Sequence, residues 1–256
     1  MSSQLDRAST FHRLHVKGHP LVLYNIWDAG SAQVVARAGA PAIATGSWAV
    51  AAAHGYADGE LLPFEIVLAN LREIVAAVDL PVTIDLESGY GRTPDAVAAS
   101  TVAVLKNGAI GFNLEDRIIG AHTLYSAADQ SARLRAARSA ADQLAVPAFI
   151  NARTDLFFQT DRAQHDAALL ASALDRAHAY AAAGASGLFT PGLVDESLIG
   201  MLCQRSPLPV NLLLVPNAPT PKRLAELGVS RVSHGPGPYR RAMQLVEDGA
   251  RQIYAQ

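Results

Sequence analysis

Four charged residues are spaced so that a parallel sheet would deliver them to one place. Asp85 and Glu87 lie two apart in PVTIDLE (residues 81–87), Glu115 closes GFNLED (111–116), and Arg153 ends PAFINAR (147–153). Residues i and i+2 of a strand point the same way. Asp85 and Glu87 are therefore expected to project together, with Glu115 beside them from the next strand and Arg153 from the one after. Three carboxylates aimed into one mouth repel one another unless a cation sits among them. Hard oxygen donors with no cysteine or clustered histidines favour Mg2+, or Mn2+, over zinc. Arg153 carries a planar fork of donors that matches a substrate carboxylate bidentately. Asp58, in HGYADG (54–59), is either a fourth acid near the metal's waters or a plain turn residue. Asp28, Asp116 and Asp155 stand at strand ends, where a lone acid more often caps a helix or pairs with a base. The segment DLESGYGR (85–92) lacks the Lys-Ser/Thr ending of a phosphate loop, and its glycines serve tight turns instead.

Positioning these groups requires an alternation of strands and helices, which the chain displays. Eight apolar runs stand at 21–27, 41–46, 81–87, 111–116, 147–153, 187–192, 209–215 and 231–235. Several are apolar on both faces, as strands of a buried parallel sheet are. Thr93-Pro94-Asp95 reads as an N-cap, a proline in the first turn and an acid at the positive end of a helix. Gly39, Gly108, Gly184 and Gly228 each precede a small apolar residue and then a strand, which is where a helix ends on a left-handed glycine. The repeat of helix, glycine stop and strand predicts an α/β fold, a (β/α)8 TIM-type barrel formed by residues 1–256 as one domain. A chain of this length suits that fold, whose active site lies at the C-terminal ends of the strands. Those ends supply Asn25 to Asp28, Thr45 to Trp48, Asn113, Asn151, Thr190, Asn211, Ser233 and His234. The last amphipathic helix is expected over 238–256. Val215 to Pro221, with three prolines, reads as a rigid loop at the pocket wall.

Composition narrows the partners. Half of the 256 residues are hydrophobic, 17% are charged, and the net charge is −2. Nucleic acid or an anionic membrane surface would call for a basic excess. The one cysteine, Cys203, allows no intrachain disulfide and no cysteine-built zinc site. Eleven residues past the sixth strand, on a predicted helix, it reads as a core residue. The first residues are polar, and no run of 18 apolar residues occurs. The expectation is a cytoplasmic enzyme that binds a small molecule, neither nucleic acid nor membrane.

TGSWAVAAAHGYADGE (45–60), TIDLESGYG (83–91), GFNLEDR (111–117) and INARTD (150–155), in this order and spacing, resemble the isocitrate lyase/phosphoenolpyruvate mutase superfamily. The resemblance covers nearly the whole chain. It implies a barrel whose last helix is exchanged with a neighbouring subunit, giving a homodimer or homotetramer. It implies Mg2+, and an enolate-like intermediate derived from a 2-oxo acid. By the same resemblance Asp85 is the direct metal ligand, while Glu87, Glu115 and Asp58 act mainly through metal-bound waters. Gly46, Ser47 and Trp48 hold the substrate's carboxylate end and Arg153 binds the other anionic group, while Asn211, at the end of the seventh strand, is a further substrate-binding candidate.

Two departures shape the functional expectation. Glu87 stands where the family usually has Asp. The stretch after the fourth strand, Arg117 to Ser126, has neither the lysine and cysteine of the family's C–C lyases nor the lysine and Asn-Ser of its mutases. What the resemblance leaves is a divergent Mg2+-dependent lyase or decarboxylase that cleaves a C–C bond in a 2-oxo acid or substituted malate, such as an oxaloacetate-like dicarboxylate. His122, Tyr125 and Ser126 are the loop's candidates for proton transfer, with His234 a further one from the eighth strand. The alternatives are a mutase or hydrolase acting at a C–P bond, a non-catalytic barrel that binds a 2-oxo acid, and a scaffold.

Overall fold

The computed structural model describes residues 2–255. Met1 and Gln256, the ends of the expected domain and Gln256 of the expected last helix, lie outside them. Eight strands form: β1 (Leu21–Leu23), β2 (Ile43–Ala44), β3 (Val82–Asp85), β4 (Gly111–Glu115), β5 (Phe149–Arg153), β6 (Gly187–Phe189), β7 (Val210–Leu213) and β8 (Arg231–Ser233). The helices are α1 (Gln4–Arg13), α2 (Ala29–Arg37), α3 (Ser47–Ala53), α4 (Phe64–Ala77), α5 (Pro94–Lys106), α6 (Ala127–Gln143), α7 (Leu156–Gln159), α8 (Ala167–Ala182), α9 (Glu196–Arg205), α10 (Pro221–Glu226) and α11 (Gly237–Tyr254). All strand pairs are parallel, in the order β1-β8-β7-β6-β5-β4-β3-β2. The two ends of this sheet meet just past β1. There the Ile26 amide donates to Ala44 O at 2.9 Å and the Gly46 amide to Ile26 O at 3.2 Å, which closes a TIM-type barrel.

The local reasons are those of the sequence. Asp28 caps α2 through the Ser31 amide, Thr93 caps α5 ahead of Pro94, and Ser126 caps α6. Gly39, Gly108, Gly184 and Gly228 all take φ between 89° and 94°, the left-handed stop that L-residues resist. One apolar layer packs the strands against the helices, including Ile84, Phe112, Leu114, Ile150 and Leu188 with Val104, Leu134 and Leu174. A second cluster sits at the N-terminal end of the barrel. There α1 closes the bottom with Ala8 and Phe11 against Phe149, whose ring His15 stacks on at 3.9 Å. Burial pushes His15 down to about 3, so the ring is neutral. Cys203 is buried on α9 and burial raises its thiol to about 11, the chemistry of a packing residue.

The helix α11 differs from the others. Leu245, Val246 and Ile253 are 74%, 63% and 68% exposed, and Val22, on the outer face of β1, is 43% exposed. Among the described residues nothing covers either apolar surface. No helix of the described residues is long and apolar enough to cross a membrane.

Gly111 leaves no room for a side chain, since an added Cβ would lie 2.4 Å from Phe149 O and 3.0 Å from Phe149 Cβ. The contact is with backbone, so β4 and β5 would have to separate. Gly111→Ala is expected to cost about 2 kcal/mol or more by overpacking, read as a lower thermal midpoint. A midpoint equal to that of the wild type would contradict this packing.

Candidate active site

The C-terminal ends of the strands surround a pocket of about 340 Å3. Its floor is Asp85 and Arg153, its near rim Ser47, Trp48, Asp58 and Arg117, and its far wall Phe158, Phe189, Pro191 and residues 213–216. Arg153 organises the floor. Its Nη1 lies 2.9 Å from Glu115 Oε2 and 3.9 Å from Asp85 Oδ2. Its Nε and Nη2 donate to the two oxygens of Asp155, at 2.6 and 3.0 Å. Burial opposes the guanidinium charge, but attraction to Glu115, then Asp155, then Asp85 secures it. The bidentate face expected to meet a substrate is thus spent on Asp155, and Arg153 offers a ligand its charge and the remaining N–H groups of the fork.

Asp85 is held from three sides. Ser47 Oγ donates to Oδ2 at 2.9 Å, Asn113 Nδ2 approaches Oδ1 at 3.3 Å, and the Asp85 amide donates to Thr45 Oγ1 at 3.0 Å. Below it, amides cross the barrel axis. Asn151 Nδ2 donates to Asn113 Oδ1 at 2.9 Å and to Asn211 Oδ1 at 3.0 Å, and Arg231 Nη2 reaches Asn113 Oδ1 at 3.4 Å. Arg231 is fully buried, and burial pushes it down to about 9.

The expected acids do not share one geometry. β3 ends at Asp85, and Glu87 adopts φ 51°, so the strand alternation that would align the two side chains stops before Glu87. Its carboxylate turns to the 54–60 loop and accepts the amides of Gly59 and Glu60 at 2.9 and 2.8 Å. Tyr90 OH donates to its other oxygen at 3.2 Å. Glu87 borders a void of about 20 Å3 with Leu62 and Tyr90, which adjoins the main pocket through Thr45, Ser47 and Asp85. Burial, then the charges of Asp58 and Asp85, raise it to about 7. Glu115 is buried beside Arg153, and burial pushes it upward against that pull. Asp58 lines the pocket, and desolvation followed by the Asp85 charge raises it.

Other expected residues fall elsewhere. Asn211 is 1% exposed beneath the floor, bonded to Asn151, to Arg231 O and to Leu212 O; its side chain is consumed by the barrel axis and does not line the pocket. The 117–125 loop folds back as a hairpin through Arg117 and Leu124. His122 is exposed at its tip. Tyr125 lies under the Arg133 guanidinium at 4.1 Å, and Ser126 caps α6. The hairpin brings none of the three to the pocket, whereas Gly46, Ser47, Trp48 and His234 do line it. Burial lowers His234, so its ring is neutral near pH 7. Asp28 caps α2, and Asp116 pairs with Arg176 at 3.0 Å and accepts from Tyr180 OH at 2.8 Å, the ordinary roles of strand-end acids. Sequence reasoning did not single out Arg117, Phe158 or Arg240 as pocket residues, and no local pattern marks them. For Asp155, the i, i+2 spacing from Arg153 was the available signal.

The floor therefore gathers Asp85, Glu115 and Asp155 around the Arg153 cation, with Asp58 at the rim, and burial first, then neighbouring carboxylates, raise Asp58 and Glu115. Among the described residues no three carboxylate, histidine or cysteine side chains converge as a ligand set. A cation held at this floor would draw most of its ligands from water, a coordination that Mg2+ accepts.

The family model described as phosphoenolpyruvate phosphomutase matches residues 11–254. A solved candidate phosphonomutase of Burkholderia cenocepacia J2315 is 50% identical, with a TM-score of 0.96 over 98% of this chain and 99% of that one. An uncharacterized protein of Mycobacterium tuberculosis is 35% identical over 244 residues, 95% of this chain and 88% of that protein. The 2-methylisocitrate lyase of Salmonella typhimurium is 28% identical over 206 residues, 78% of this chain and 67% of the enzyme.

Glu87 supplies a test of the local electrostatics. Its folded value of about 7 exceeds the ordinary 4.5. The stability it contributes is thus fully present below pH 4.5 and lost as pH rises through 7, by up to about 3 kcal/mol. Thermal midpoints measured without divalent ions should fall over this window more steeply in the wild type than in Glu87→Gln. Parallel curves for the two would remove the strained acid cluster.

Proposed function

The chain belongs to the isocitrate lyase/phosphoenolpyruvate mutase superfamily, and from that premise we propose that it is a Mg2+-dependent lyase or decarboxylase that breaks a C–C bond in a small 2-oxo acid or substituted malate. The observation that carries this reading is Arg153, a buried guanidinium set among Glu115, Asp155 and Asp85 at the floor of a pocket. Asp85 would hold Mg2+ directly, and Glu115 and Asp58 through its waters; the excess of carboxylates over cations at the floor supports that set. The ion, when bound, supplies stabilisation for negative charge that develops on the 2-oxo oxygen as the adjacent bond breaks.

The chain's own groups do the rest. Gly46, Ser47 and Trp48 begin α3 at the rim and receive the substrate's carboxylate end. Arg153, fixed by Asp155, presents its charge without having to reorganise, with the Phe189 and Phe158 ring centres 5.7 and 6.0 Å from the guanidinium. His234, neutral and facing the pocket, is the group placed to hold or return a proton. A second reading, chemistry at a C–P bond, draws on the 50% identical candidate phosphonomutase and on Arg117 at the rim.

The test is calorimetric titration of oxalate, which mimics the enolate of pyruvate. Binding should require Mg2+ and should weaken at least tenfold in Asp85→Ala and in Arg153→Ala. Oxaloacetate and substituted malates should then release pyruvate or its homologues; phosphate release from phosphonopyruvate would favour the second reading. Oxalate binding without turnover of any of these would leave a 2-oxo acid binding barrel. No binding with or without Mg2+ would end the 2-oxo acid reading.

The exposed apolar face of α11 and the uncovered Val22 support assembly as a homodimer or homotetramer in which α11 packs on a neighbouring barrel. Light scattering should give a multiple of the chain mass, and Val246→Asp with Ile253→Asp should give the single-chain mass. A monomeric wild type would contradict the exchange.

A further inference from the structure

The backbone that carries Asp58 to the pocket rim is hydrogen-bonded to the barrel through one side chain. Among the described residues the backbone of 57–62 makes two hydrogen bonds, from the Gly59 and Glu60 amides, and Glu87 Oε2 accepts both, at 2.9 and 2.8 Å. Glu60 returns the contact, its Oε1 accepting the Tyr90 amide at 2.7 Å. Tyr90 OH donates to Glu87 Oε1 at 3.2 Å, and the Tyr90 ring stacks on Phe64, the first residue of α4, at 4.7 Å. Two loops are thus clasped by carboxylates that each accept amides of the other's loop. Glu60, Glu87 and Tyr90 take φ of 57°, 51° and 52°. Residues with a Cβ hold that left-handed region only where their surroundings over-determine it.

The two sides of the clasp are unequal. Arg133, 1% exposed on α6, donates to Ser88 O and, at 3.2 Å, to Gly91 O, while Glu87 O accepts the Glu115 amide at 2.8 Å. The 87–91 turn is therefore fixed to the barrel wall, and the backbone of 57–62 has no such second hold. Glu87 is the anchor, and the Asp58 stretch is what it carries. Reach decides whether the anchor works. An aspartate at the same backbone position would leave its carboxylate about one C–C bond further from the amides, beyond hydrogen-bond distance.

We propose that Glu87 is a positioning residue for the metal site. It contacts neither the ion nor its waters, and sets Asp58 at the rim by holding the two amides that follow it. This rests on the reading of Asp85 and Asp58 as the groups that hold Mg2+, and assigns the effect of Glu87 on that ion to the length of its side chain, not to its charge.

The experiment separates length from charge. One readout is the affinity for Mg2+ at saturating oxalate, and the other is hydrogen exchange of the 57–62 amides. Asp58→Ala should weaken Mg2+ about tenfold or more, as loss of a partner to the ion's waters does. Glu87→Asp keeps the charge and loses the reach. It should weaken Mg2+ to the same extent, with exchange over 57–62 about tenfold faster. Glu87→Gln loses the charge and keeps the reach, since its amide oxygen still accepts both N–H groups. It should hold Mg2+ within about threefold of the wild type and leave the loop protected. Unchanged exchange over β4 and β5 shows that each variant is folded. In an Asp58→Ala background, Glu87→Asp should cost nothing further, because its effect passes through Asp58. A Glu87→Asp protein that binds Mg2+ as the wild type does, or a Glu87→Gln protein that loses Mg2+ with its loop still protected, would overturn the proposal in favour of a direct electrostatic role. Additive losses in the double variant would overturn it as well. Failure of the wild type to bind Mg2+ and oxalate together would overturn the underlying reading and this one with it.

Discussion

The architecture of the site depends on one ionic arrangement, the mostly buried Arg153 guanidinium held between Glu115, Asp155 and Asp85. Buried charges of one sign cannot be gathered without compensation, because desolvation and mutual repulsion both oppose them. Arg153 answers part of that demand, and Asp155 fixes its orientation by taking two of its donors. What is left over appears as raised carboxyls at Glu87 and Glu115 and at the rim in Asp58. In the proposed function, a cation beside this pre-oriented guanidinium would hold a small organic anion and stabilise its developing charge.

The barrel supplies the rigidity this needs. Three asparagines and Arg231 cross the axis directly under Asp85, so the residue above them rests on a hydrogen-bonded deck and not on mobile side chains. The bottom is closed by α1 through Phe11 and Phe149. Variation is left to the upper wall, built from Arg117, Phe158, residues 213–216 and the start of α11. That division explains how the fold keeps one electrostatic floor while its chemistry and substrates diverge.

The same start of α11 belongs to two surfaces. Its first turns carry Tyr239 and Arg240 to the pocket, and its remaining length turns an apolar stripe to the outside. In the proposed assembly, this one helix would serve both the subunit contact and the pocket wall.

The amino-acid sequence by itself determined the eight strands, the glycine stops and the acids' arrival at one end of the barrel, because these follow from local periodicity and from the conformational limits of glycine and proline. It also marked Asp85, Glu115, Arg153 and Ser47, which lie at strand ends or the turn beyond, where register alone sets direction. It misdirected Glu87, since the alternation of side chains holds only while the backbone stays extended, and the chain leaves the strand at Asp85. It placed Asn211 in the pocket although that side chain is drawn under the floor by Asn151 and Arg231. It placed Tyr125 and Ser126 there although Arg133 and the cap of α6 claim them. The presence of Arg117, Phe158 and Arg240 around one cavity was decided only by the tertiary structure. These groups come from segments far apart in the chain, and nothing local encodes the distance between them.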